Sequence, residues 1–397
     1  MNYSRRNTVV VTLLAFLVSG CAVTYHIRPE LLPTRSTEAM VPQWPLKVGV
    51  YVAPSVKAIV FKHALWRVPA GDTIASSFRW AVGQMFADVL DVEAPKSGGS
   101  ADARIAGTIA LIDVVEEGEV HALGGLRYEI ALYSNDGKEI DRWRLVTPTA
   151  LWDMQSSSRV AMWSVASDLG YAIRNQTAHF MGDFTSHAAV RLWLSSHGVG
   201  DPTVHPTLRA ARSPSASTDS RVVMVVPDLE TWFYTDGGAA KSCIGERLAE
   251  YSPPLELLPI DRVRLEFFPW LEPAVAPKSR DEMRRWLDDD AVQAQLRALG
   301  VHYFLEFRGG TKMDTQGGML CSYGCLGFIW GSRQSSFSVD LLDVRKNGAL
   351  TEETAVRRGR VIVPAFLLPV PLIAATKTAA CEELAGKIHA AVARAPR

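Results

Sequence analysis

The chain has no excess charge of either sign: 42 lysines and arginines stand against 42 aspartates and glutamates in 397 residues. That balance excludes the strongly basic face nucleic acid requires, and no nucleic-acid partner is expected. Apolar runs approaching the ~20 residues of a membrane-spanning helix are also lacking. So are catalytic signatures. The nine histidines are scattered without a His-Glu-x-x-His, and there is no Gly-x-Ser-x-Gly and no Gly-x-x-x-x-Gly-Lys-Ser/Thr. A hydrolase could still assemble its site from distant residues, but the sequence nominates no catalytic residue, metal ligand or cofactor, and none is expected. Cysteine is sparse, at five.

What is present begins at the amino terminus. Arg5-Arg6 precede an apolar stretch from Val9 to Val18, and Val18-Ser19-Gly20-Cys21 closes it. A charged start, a short apolar segment and small residues before a cut site make a secretory signal peptide. With the cut before a cysteine, this stretch resembles the lipobox of bacterial lipoproteins. The resemblance implies that residues 1–20 are removed and that Cys21 becomes an acylated amino terminus. Several acyl chains on one residue anchor a protein stably, where one chain alone holds it marginally. The next residue is Ala22 and not the aspartate that retains many such lipoproteins in the inner membrane, so the resemblance implies an outer-membrane anchor with the body in the periplasm.

That leaves Cys243, Cys321, Cys325 and Cys381, an even number for an oxidising compartment. Three pairings are possible. The favoured one joins Cys321 to Cys325, close together in a glycine-rich stretch, and Cys243 to Cys381, one from each of two predicted helices. Free buried thiols are the alternative, and the spacings match no zinc pattern.

Length sets a prior of two domains. Residues 21–45, with Pro29, Pro33, Pro42 and Pro45, read as a proline-rich tether. A first domain is expected over 46–197, a linker over 198–220 and a second domain over 221–397. In the first domain Leu46–Val52 alternates as a strand. A helix should start at Gly71-Asp72-Thr73, capped by Asp72 or Thr73, with Ile74, Phe78, Val82, Met85 and Val89 on one face. Strands follow over 103–115, 128–133 and 139–146, the last two joined by a turn at Asn135-Asp136-Gly137. A helix over 158–181 places Val165, Leu169, Ile173 and Phe180 on one side.

The second domain restarts with Arg221–Pro227, whose five consecutive apolar residues suit a central strand. Helices are expected over 240–251 and 279–299, the latter broken near Asp288-Asp289-Asp290 and stopped by Gly300. Val263, Leu265 and Phe267 alternate as a strand. Further strands are expected at 301–307, 326–330, 337–341 and 355–363, with a glycine-rich loop over 308–324, and a last helix over 376–394. The fold class is therefore α+β: two modules, each a mixed or antiparallel sheet with helices packed on one face. Each half holds a hairpin followed by a helix, which suggests related modules.

Other features read as structural. Asp288–Asp290 lacks the further oxygen ligands of a cation site and suits a solvated helix end. Trp80, Trp163 and Trp286, three of eleven tryptophans, sit in predicted helices as packing residues. The run Val361–Ile373, the most apolar after the leader, reads as a strand end and crossover, or else as a surface for lipid or a partner; its three prolines exclude a spanning helix.

In lipobox, tether and element order the chain resembles the auxiliary lipoproteins of envelope transport and assembly machines, and the amino-terminal module of the TolB family. That resemblance implies an outer-membrane-anchored periplasmic component with a structural, interaction or assembly role and an envelope protein as partner. A cell-wall or glycan-binding module and an envelope hydrolase are the alternatives.

Overall fold

The computed structural model describes residues 23–27, 29, 32–33, 39–63, 66–95, 105–116, 126–147, 165–199, 221–227, 236–252, 254–258, 260–277, 279–321, 325–344, 348–365, 372–373 and 376–394. Residues 1–20, Cys21, residues 200–220 and 366–371, and Trp163 lie outside them. The fold is α+β, and the chain divides into two compact units. One contains the described residues up to 199 and, in addition, residues 264–276; the other contains the rest.

The first unit is built on a five-stranded mixed sheet. Its strands are β2 (Trp44–Val52), β5 (Phe86–Asp91), β6 (Gly107–Glu116), β7 (Leu126–Ser134) and β8 (Glu139–Val146), in the order β5-β2-β6-β7-β8. β2 runs parallel to both β5 and β6, and the remaining pairs are antiparallel. A small second sheet joins β1 (Val23–Thr24) to β4 (Trp66–Pro69) and β3 (Val60–His63), with the short helix α1 (Pro54–Lys57) alongside in sequence. The β7–β8 turn has Gly137 at φ 78°, a conformation glycine adopts without a Cβ penalty.

Alternation along the strands decides the faces. Tyr128, Ile130 and Leu132 of β7 join Val48, Val50, Ile109 and Leu111 in one core. Helix α2 (Gly71–Met85) covers it with Ile74, Phe78, Val82 and Met85, as the four-three spacing predicts. The helix stops there. Phe86 turns extended at φ −128°, ψ 146° and pairs with Trp44, so Val89 belongs to β5. Ala70, not Asp72 or Thr73, takes the amino-terminal cap position. Helices α3 (Val165–Ser186) and α4 (Ala188–Ser196) complete the cover.

In α3 the four consecutive residues Arg174, Asn175, Gln176 and Thr177 are all buried. Four successive positions go right around a helix of 3.6 residues per turn, so α3 is enclosed on every side. The sheet lies on one side: Gln176 Nε2 donates to Leu145 O at 2.8 Å. Residues 264–276 lie on another.

The second unit has a six-stranded mixed sheet. Its strands are β9 (Arg221–Pro227), β10 (Leu255–Leu258), β11 (Val301–Cys321), β12 (Cys325–Asp343), β13 (Gly348–Ala365) and β14 (Leu372–Ile373), in the order β10-β9-β11-β12-β13-β14. β9 is flanked by parallel neighbours on both edges, and β11, β12 and β13 are antiparallel. Strand for strand, β10-β9-β11-β12-β13 repeats β5-β2-β6-β7-β8 in order and direction. Helices α5 (Asp236–Glu250) and α9 (Thr376–Arg394) pack Ile244, Leu248, Leu384 and Ile388 on the face of Tyr303, Leu305, Phe337 and Val339.

Three expectations change in this unit. Helices are not confined to one face: Trp286 of α7 (Arg280–Leu287) lies 6.4 Å from Phe304, which alternation puts on the opposite side from Tyr303 and Leu305. Residues 263–267 are not a strand. They fall in and just after helix α6 (Ile260–Glu266), and Val263, Arg264, Phe267 and Phe268 are buried, which is helical and not twofold spacing. The glycine-rich stretch 308–321 is not a loop but a continuation of β11, paired with β12 out to Cys321 and Cys325. Gly309 lies in that strand, opposite Phe337. Its φ is 129°, and a Cβ there would lie 2.2 Å from Ser336 O.

The break at Asp288–Asp290 is present. Ser279 caps α7, accepting from Glu282 N at 3.2 Å, and Asp289 caps α8 (Asp290–Ala298), accepting from Ala291 N at 2.8 Å. Gly300 closes α8 at φ 67°.

Candidate functional site

The cysteines sort as follows. Cys243 of α5 and Cys381 of α9 form a disulfide with Cα atoms 6.3 Å apart. The two helices are further joined by a stack of Tyr251 on His389, centroids 4.4 Å apart, and by an Arg247–Glu382 ion pair. Cys321 and Cys325 are register partners at the end of the β11–β12 hairpin. Cys21 is not among the described residues. Among the described residues no group of three histidine, cysteine or acidic side chains could hold a metal ion.

His187 is brought together with two carboxylates, those of Asp141 and Asp183. Asp141 and Trp143 project from β8, Asp183 lies in the last turn of α3, and His187 occupies the corner between α3 and α4. His187 Nε2 is 2.8 Å from Asp141 Oδ2, and its Nδ1 is 3.9 Å from Asp183 Oδ2. Trp143 stacks on the imidazole at 4.3 Å and donates through Nε1 to Asp183 at 2.9 Å. The hydrogen bond from His187 holds the Asp141 carboxyl below the usual aspartate range. The nearest hydroxyl in sequence, Ser186, donates back to Gly182 O and Asp183 O. The cluster therefore fastens the α3–α4 corner to the sheet.

That arrangement has a pH signature. Asp141 binds its proton more weakly when folded than when unfolded. Between its two pKa values the unfolded chain carries more protons, and stability rises with pH there. The contribution is complete above the unfolded value of about 4 and is lost as pH falls through the lower folded value. His187→Ala is expected to return the Asp141 carboxyl toward the ordinary range, and to flatten the fall in melting temperature as the pH drops below about 4. Carboxyl carbon shifts of Asp141 followed through that range check it; identical titrations in parent and variant would remove the pairing.

The other face of the first sheet carries a cross-strand array. Arg142 reaches Glu129 at 3.0 Å and Glu139 at 2.7 Å, and Arg144 reaches Glu129 at 3.4 Å. Burial, then Glu139, pushes the Tyr133 phenol up. Each charge has an opposite neighbour, so this face offers no net field to an ionic ligand.

The charges that matter most to the first unit are internal, and no local sequence pattern marks them. Arg174 of α3 pairs with Glu272, both side chains 1% exposed, with Nε 2.6 Å from Oε1. Arg264 approaches the other carboxylate oxygen at 3.9 Å. Around this pair, Ala274 N donates to Asn175 Oδ1 at 2.8 Å, Trp270 Nε1 donates to Met40 O at 2.6 Å, and Phe268 packs on Trp80 at 5.5 Å. Residues 264–276 are thus an integral part of the first unit, reached from within the second. A helix-spaced reading of Val263, Arg264, Phe267 and Phe268 was the one signal available.

Trp44, Trp80, Trp143, Trp193, Trp270 and Trp286 are all buried or half-buried, and each contributes to packing or to an internal hydrogen bond.

No protein-family model matches the chain, and no curated protein is similar to it in sequence. Among solved structures it is similar to protein XCC0632 from Xanthomonas campestris (15% identity, 40% of this chain and 93% of that one, TM-score 0.28). It is also similar to the PelC dodecamer from Paraburkholderia phytofirmans (14%, 47% and 96%, 0.24). A third is the lipoprotein GNA1162 from Neisseria meningitidis (12%, 44% and 95%, 0.20). Likenesses this distant carry no activity or partner across. No helix among the described residues is long and apolar enough to cross a membrane.

Proposed function

We propose that the chain is an envelope lipoprotein, anchored through acylated Cys21 in the outer membrane, whose body acts in the periplasm as an interaction or assembly component. The observation that carries this reading is the pairing of a lipobox, Val18-Ser19-Gly20-Cys21, with a Cys243–Cys381 disulfide in the body. Disulfides persist outside the reducing cytosol, and export by a signal peptide reaches such a compartment. A non-catalytic role is favoured by the use of His187, Asp141 and Asp183 to fix a corner. The packed tryptophans weigh against a sugar-stacking groove.

Cys21→Ser is expected to release the protein from the outer-membrane fraction after a high-salt wash, while the parent stays bound. A variant that still sediments with outer membranes counts against the anchor. Crosslinking in intact cells then addresses the role: a defined set of envelope proteins recovered with the anchored form alone supports assembly. Recovery of background only would favour glycan binding or catalysis.

A further inference from the structure

The small sheet of the first unit turns one side to the core and the other to water. Phe61 and Val68, register partners across β3 and β4, are buried in the core. The alternate positions point away from it. They place Val60 opposite Pro69 and Lys62 opposite Arg67, with Thr24 beside Arg67 on the next strand. Each of these is exposed, as is Lys57 at the end of α1. Residues 54–71 contain no acid, and among the described residues no carboxylate pairs with Lys57, Lys62 or Arg67.

We propose that this outward face is a second contact with the membrane, in which Lys57, Lys62 and Arg67 lie against anionic lipid headgroups. The place where the chain enters the sheet argues for it. β1 runs parallel to β4 with Val23 beside Trp66, so the chain enters at the end where β3 turns into β4. Cys21 is two residues before Val23, a span of at most about 7 Å. From β1 onward the chain is fastened to the body: Tyr25 N donates to Arg67 O at 2.9 Å, and Tyr25 and Ile27 pack on the core. An acyl group on Cys21 therefore holds this end of the sheet at the bilayer surface. The rung of Lys62 and Arg67 is the next one in from that end, after His63 and Trp66. A cation gains from an anionic surface only within a Debye length, roughly 8 Å at physiological salt, and a short link to the anchor supplies that closeness. Anchoring also makes the second contact intramolecular, so a few cations suffice where they would not recruit a free protein. The contact fixes the orientation of the first unit on the bilayer. It rests on the anchored-envelope reading, which supplies the acyl group.

The test uses the full chain, exported and acylated, carrying Val60→Cys labelled with an environment-sensitive dye. It is reconstituted into phosphatidylcholine vesicles and into phosphatidylcholine/phosphatidylglycerol vesicles, each with and without headgroup-spin-labelled lipid. Beside it runs the same protein with Lys57→Gln, Lys62→Gln and Arg67→Gln, all at exposed positions. Parent protein without Val60→Cys, treated with the same dye, sets the background. The expected result is strong quenching by the spin-labelled lipid in the anionic vesicles, falling severalfold in the Gln triple and in 1 M salt. Quenching no greater than background in the anionic vesicles overturns the proposal, and so does quenching undiminished in the Gln triple. Absence of quenching with a doubled particle mass in detergent also overturns it, making a second copy of the chain the occupant. Acylation is read separately from the mass of the amino-terminal peptide. A parent without the acyl group overturns the anchor and this contact with it, whereas an acylated, vesicle-bound parent without quenching overturns the contact alone.

Discussion

Glu272→Ala is expected to destabilise the first unit by about 3–5 kcal/mol, because it leaves Arg174 buried without its counter-charge. Arg174 and Glu272 are removed from water almost completely, and Arg264 is close behind at 5% side-chain exposure. Removing one partner strands a charge, whereas replacing both with apolar residues of similar volume is often neutral. Arg174→Met combined with Glu272→Leu should therefore recover most of the loss. Guanidinium unfolding followed by tryptophan fluorescence measures both. Equal losses in the single and double variants would show that the pair's charge is not what matters. The same pair bears on how the chain can be cut. A fragment ending at the 200–220 stretch lacks residues 264–276, and with them the partners of Arg174, Asn175 and the Met40 carbonyl. Such a fragment should melt well below the intact protein.

The second large effect is expected from the disulfide. Cys243 and Cys381 are 138 residues apart, and closing so long a loop restricts the unfolded chain strongly. Cys243→Ala with Cys381→Ala should lower the stability of the second unit by about 2–5 kcal/mol, with little change in the first. Reduction of the parent should reproduce the effect, and equal destabilisation of both units would contradict it. The remaining ties between α5 and α9, the Tyr251–His389 stack and the exposed Arg247–Glu382 pair, are weaker, since water screens a surface ion pair.

Much of the architecture was legible because it rests on local rules. The four-three spacing of Ile74, Phe78, Val82 and Met85, the Asn-Asp-Gly turn, the unbroken apolar run of β9 and the stop at Gly300 each follow from side-chain direction or backbone freedom within a few residues. The α+β class and the hairpin-helix order of both halves came from summing them. The similarity of the halves goes further than the hairpins, since both sheets have the same strand order and directions.

The misreadings have one cause. Val263, Leu265 and Phe267 alternate, but the buried set is Val263, Arg264, Phe267 and Phe268, because a carboxylate waits for Arg264 in a fold the sequence does not display. Residues 308–321 have the glycines of a loop, yet they pair residue for residue with β12, and a ladder partner outweighs a weak local propensity.

By itself the sequence determined the balanced charge, the α+β class and most helix and strand positions, all properties of short windows or of composition. Only the tertiary structure decided that residues 264–276 complete the first unit, that α3 buries a full polar turn, and that β11 to β13 extend as one ribbon. Each of these depends on a partner far away along the chain. Whether a charge is stabilised or a strand extended is set by what the fold brings beside it.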